Sequence, residues 1–127
     1  MELFENLEVK RGTTVLIGRP AKPFEKKVSD ELLRIALQLE VAMEVHIPQC
    51  FAVGVMEQPE QICVIVVKDE NIKETALAEI TRYIRESKII QEILVWILPM
   101  NSDFLSDIRA AKCQLNKKKR SIWGFWK

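Results

Sequence analysis

Residues Ile62 to Val67 and Ile93 to Leu98 read ICVIVV and ILVWIL, two six-residue stretches with no polar side chain at any position. Successive side chains of a strand point to opposite faces, so a sheet with one wet face shows polar residues at every second position. Neither stretch does. Read as strands, both need cover on front and back, from helices, from the chain's own end or from a second subunit. The second face alone is expected to hold Cys63, Ile65, Val67, Leu94, Trp96 and Leu98. At roughly 1.5–3 kcal/mol per large apolar side chain, leaving these wet forfeits on the order of 10 kcal/mol. A typical domain has only about 5–15 kcal/mol in total. The requirement points to association rather than catalysis, with Trp96 and Leu98 as the sheet-face residues that meet a partner.

The rest of the chain supplies elements to surround these strands. Thr13–Ile17 is β-branched and bracketed by Gly12 and Gly18, a short strand. After the proline-punctuated Arg19–Pro23, the apolar positions Phe24, Val28, Leu32, Ile35 and Leu39 mark one face of a helix over Glu25–Glu40. Val41–Ile47 alternates as a half-buried strand that Pro48 closes or bends, and Gly54–Gln61 reads as a turn region. Asn71 and Glu74 form a plausible capping pair for a helix carrying Ile72, Ala76, Ile80 and Ile84. Asn101-Ser102-Asp103 can cap a last helix with Phe104, Ile108, Ala111 and Leu115 one turn apart. Met1–Arg11 is a lead-in or edge segment. The order β-α-β-β-α-β-α predicts an α+β fold, a ferredoxin-like β-α-β-β-α-β sandwich with an additional C-terminal helix. One domain over 1–116 and a tail over 117–127 account for the whole length.

Of the 127 residues, 48% are hydrophobic and 29% charged, a globular rather than a disordered composition. No apolar stretch approaches the ~20 residues that span a bilayer. The acidic start Met1-Glu-Leu-Phe-Glu lacks a signal-peptide core, so the chain reads as cytoplasmic. Cys50, Cys63 and Cys113 are odd in number and lack CxxC spacing, which fits reduced structural thiols and offers no zinc cluster.

Signatures of catalysis are absent. No GxGxxG, GxxxxGK[ST] or GxSxG occurs, and the carboxylates sit among lysines on helix faces. His46, the lone histidine, shares a strand face with Glu44 and is expected at the solvent or at a sheet rim. Cys50 is the one nucleophile near it in sequence, so a hydrolytic Cys50–His46 pair is the enzymatic alternative. No catalytic residue, metal or cofactor is assigned. Gly18, Arg19 and Lys22, in the first strand–helix loop, are candidates for a small-ligand site, with Arg19 reading a carboxylate. That site makes a regulatory domain sensing an amino acid or similar small anion the competing function.

Charge is unevenly placed. Residues 1–116 hold 14 basic and 18 acidic side chains, whereas 117–127 hold five basic ones and no acid. In that tail Lys117–Arg120 precede Ile122, Trp123, Phe125 and Trp126. These four apolar residues are expected to dock on a protein partner or on the sheet of a homodimer. Weak contact with an anionic membrane surface is a second use, and a frayed terminus a third. Nucleic-acid binding is not expected: the body is acidic, and Ile62–Val67 carries none of the stacking aromatics that RNA-recognition sheets use.

The stretch Gly12-Thr-Thr-Val-Leu-Ile-Gly-Arg-Pro20, followed by a helix, Val41-Ala-Met-Glu-Val45 and Ile62–Val67, resembles the C-terminal domain of the enhanced serine sensitivity (SseB) family of bacteria. The likeness runs over about residues 8 to 115. Met43 stands where that family often has an aromatic, and the family's N-terminal domain has no counterpart in this sequence. The resemblance implies a bacterial, cytoplasmic, non-enzymatic domain with an accessory or toxin-neutralising role, and it brings no catalytic residues. The expectation is therefore a protein-interaction module that self-associates.

Overall fold

The computed structural model describes residues 4–6, 9–10 and 12–116. Its strands are β1 (Phe4–Asn6), β2 (Val15–Gly18), β3 (Ala42–His46), β4 (Gln49–Ala52), β5 (Glu60–Gln61), β6 (Cys63–Val67) and β7 (Ile93–Pro99). Its helices are α1 (Lys26–Gln38), α2 (Lys73–Glu86) and α3 (Leu105–Ala110), with a 3-10 turn at Glu70–Ile72 leading into α2. The fold is α+β, with two sheets.

The larger sheet has the order β1-β7-β6-β3. β7 runs parallel to both β1 and β6, while β3 is antiparallel to β6. The smaller sheet has the order β2-β4-β5, all antiparallel. This is not the ferredoxin-like plan. In that plan the first long strand joins the sheet between the later ones; here β2 leaves for the second sheet and β1 takes an edge of the first.

One bent hairpin generates both sheets. β3 continues into β4 through Ile47 and Pro48, and β5 continues into β6 through Ile62. The Ile62 amide donates to the Pro48 carbonyl at 2.9 Å, and Gln61 Nε2 donates to the Ile47 carbonyl, which holds the corner. Proline suits this place because it has no N–H to give to a ladder.

The molecule has three layers around two cores. Leu32 and Ile35 of α1 and Ala76, Ile80 and Ile84 of α2 pack on Cys63, Ile65, Val67, Val95 and Ile97. On the opposite face, Val64, Val66, Trp96 and Leu98 meet Cys50 of the small sheet and Leu105 and Ile108 of α3. Val15 and Ile17 of β2 complete that second core. The register Val64↔Trp96 and Val66↔Leu98 fixes which residues share a face. It corrects the expected grouping by one position: Cys63, Ile65 and Val67 lie with Val95 and Ile97, not with Trp96 and Leu98.

The ends of the elements also differ from expectation. Asp69, not Asn71, supplies the capping carboxylate ahead of α2, its Oδ1 accepting from the Asn71 amide at 2.9 Å. α3 stops at Ala110, and Lys112 takes a left-handed φ of 56°, so Leu115 lies off the helix. Beyond Lys112 the chain runs antiparallel to β3. The Ile47 amide donates to the Cys113 carbonyl and the Leu115 amide to the Val45 carbonyl, with His46 opposite Gln114. Asn116 Oδ1 accepts from the Val45 amide at 2.7 Å, where a backbone carbonyl would otherwise be needed.

Candidate functional site

The two all-apolar strands are shielded front and back by the chain itself. Trp96, 3% exposed, and Leu98 are buried beneath the small sheet and α3, so neither is offered to a partner. This corrects their assignment as partner-binding residues. The sheet faces therefore set no demand for a second subunit, and the search moves outward.

On the small sheet, side chains alternate as strand geometry requires. Val15, Ile17, Cys50 and Ala52 face inward, which turns Leu16 and its cross-strand neighbour Phe51 outward. Leu16 is 60% exposed, and Val53 and Val55, in the hairpin tip beyond β4, are 50% and 48% exposed. The Val53 amide donates to the Thr14 carbonyl at 2.9 Å, which extends the ladder and puts Val53 on the same face as Leu16. The tip turns at Gly54, whose φ of 82° suits a residue without a side chain.

β2 is also an edge. The Thr14–Val53 bond sets the ladder so that Leu16 and Gly18 bond across to β4, turning the backbone groups of Val15 and Ile17 away from β4. Val15-Leu-Ile-Gly18 contains no charge, proline or bulge, but α3 packs against it, and a covering helix is one of the devices that keep an edge from pairing with another chain.

The first strand–helix loop is arranged differently from a ligand loop. Arg19 and Lys22 are exposed and Gly18 is half-buried. Two of its amides are already served: Ala21 N–H donates to Gln49 Oε1 at 3.1 Å and Phe24 N–H to Gln61 Oε1 at 2.7 Å. Two glutamines of the small sheet thus occupy donors that an anion would use.

His46 is not at the solvent. It is 1% exposed, covered by the Cys113–Asn116 segment and α3. Its Nε2–H donates to Glu44 Oε1 at 2.8 Å, and the Glu44 carboxylate also pairs with Arg109 of α3. Nδ1 has no partner. Burial pushes the His46 pKa down, against the pull of Glu44, so the ring is neutral. Arg109 is the main cause holding the Glu44 carboxyl below its ordinary range. Burial raises the Cys50 thiol to about 12, which leaves almost no thiolate near neutral pH. A nucleophile needs that thiolate. Among the described residues, no group of three His, Cys, Asp or Glu side chains is placed to hold a metal ion.

Ile122, Trp123, Phe125 and Trp126 lie outside the described residues. No helix among the described residues is long and apolar enough to cross a membrane. No protein family, curated protein or solved structure in the comparisons matches this chain.

Proposed function

We propose that this protein is a non-enzymatic interaction module that self-associates through the outer face of its small sheet. The observation that carries this reading is the pair of exposed apolar side chains Leu16 and Val53 on the outer face of the small sheet, with exposed Val55 in the adjoining hairpin tip. Scattered exposed hydrophobes are ordinary; neighbours grouped on one sheet face favour a partner. A second copy is the occupant argued for. Stacking the outer face on its own twofold mate places like against like, and Leu16, Val53 and Val55 carry no charge that calls for a complementary one. The raised Cys50 thiol and the buried, neutral His46 support the non-enzymatic part. The resemblance to the SseB C-terminal domain points the same way, towards an accessory or toxin-neutralising role in the cytoplasm.

Magnitudes make the association weak. Six half-exposed side chains across a twofold axis contribute on the order of 5–9 kcal/mol. Lost translational and rotational freedom costs about 4–15 kcal/mol. At most about 5 kcal/mol remains, so the dimer is expected only from a few tenths of a millimolar upward. Light scattering over a concentration series tests it: Leu16→Glu and Val53→Glu are expected to leave a monomer at every concentration. The same series on Trp123→Ala/Trp126→Ala separates the tail from the sheet. Wild type that stays monomeric into the millimolar range, or Leu16→Glu that dimerises unchanged, rules the proposal out.

A further inference from the structure

A cleft of about 860 Å³ opens at the carboxyl ends of β6 and β7, away from the patch on the small sheet. Its position follows from the topology. The chain leaving β6 crosses to the helix face as α2, while the chain leaving the parallel neighbour β7 crosses to the other face as α3. Connections that part in opposite directions leave a crevice outside the strand ends, which is where open parallel sheets bind ligands. The segment after β1 also emerges there, bringing Val9 and Lys10 to the rim. The volume falls within the range of small-molecule sites.

The lining has a definite chemistry. Half-buried Phe104 is the aromatic side chain that reaches the cleft, its ring centroid 5.1 Å from that of buried Trp96, which backs it. One wall is the start of α2, with Glu70, Lys73 and Glu74; the other is the β7–α3 loop, with Asn101, Ser102 and Asp103. Lys73 and Glu70 pair at 3.6 Å and offset each other. Among the described residues, Glu74 and Asp103 have no ion-pair partner, against one unpaired cation, Lys10. Anionic ligands are disfavoured, because Asp69, Glu70 and Glu74 already supply negative charge at the helix start. Two unpaired carboxylates and a half-buried aromatic ring lining one cleft suit a cation with an apolar body.

We propose that this cleft binds a small organic amine, its ammonium held between Glu74 and Asp103 and its apolar body lying against Phe104. The test uses the full-length 15N-labelled chain titrated with phenethylamine and, separately, with uncharged 2-phenylethanol. The expected result is saturable shifts at Lys73–Leu77, Trp96 and Asn101–Phe104 with the amine, and affinity for the alcohol lower by about tenfold. Glu74→Gln and Asp103→Asn, both at exposed positions, are expected to weaken the amine by about three- to tenfold each and leave the alcohol unchanged. Lys22→Gln, in the first strand–helix loop, is expected to change neither. Absence of saturable shifts, equal affinity for amine and alcohol, or indifference to both acidic substitutions overturns the proposal. None of these outcomes bears on self-association.

Discussion

His46 has two ring nitrogens to satisfy and a bond for one of them. Nε2–H donates to Glu44, while Nδ1 is buried and unpartnered. Because burial depresses the folded pKa below 6.5, the unfolded chain takes up a proton first as pH falls. The contribution of His46 to stability is thus complete above pH 6.5 and is lost as pH drops through that value towards the folded pKa. Glu44, held below 4.5 mainly by Arg109, adds a loss of the same sign at lower pH. Urea unfolding at a series of pH values is expected to show stability declining below about pH 6.5, and His46→Gln is expected to flatten that first decline. A decline unchanged in His46→Gln assigns it to another group. The thiols give a second test at this scale. Burial raises Cys50 and Cys63 to about 12 and also raises the half-buried Cys113. In a thiol titration of native protein, Cys113 is expected to react first, and Cys50 and Cys63 only on unfolding.

At the scale of elements, the bend at Pro48 decides the architecture. The sequence shows the helices plainly, since Leu32 and Ile35 of α1, Leu39 just past its end, and Ala76, Ile80 and Ile84 of α2 follow helical spacing and are all buried. It also shows that β6 and β7 need two covered faces. The small sheet is much harder to see. Gln49-Cys-Phe-Ala52 is too short for alternation to stand out, and Glu60-Gln61 has no strand composition. Their pairing depends on a partner strand, β2, more than thirty positions away. Register was hidden for a related reason: with every position apolar, nothing in ICVIVV or ILVWIL marks which residues share a face. His46 looked like a rim residue because its cover, Cys113–Asn116, is continuous in sequence with what reads as helix. Asn116 tests that cover. Asn116→Ala removes the acceptor for the Val45 amide and is expected to cost about 0.5–1.5 kcal/mol, with faster exchange at that amide. Unchanged exchange at Val45 counts against the side-chain bond.

For the whole molecule, shielding of the central strands is internal, and the association proposed above is a separate, outer layer. The two behave differently under mutation. Trp96→Ala opens a cavity between the large sheet, the small sheet and α3, and is expected to cost about 3–5 kcal/mol whether or not the chain dimerises. Leu16→Glu changes an exposed position and is expected to shift stability by less than about 0.5 kcal/mol while abolishing the dimer. Hydrogen exchange on the Leu16→Glu protein is the most direct measurement of the central claim, since any protection there comes from one chain alone. Amides of Cys63–Val67 and Ile93–Leu98 are expected to remain the slowest to exchange in the molecule. Rapid exchange along either strand in that monomer, with protection returning only in associated wild type, contradicts the account.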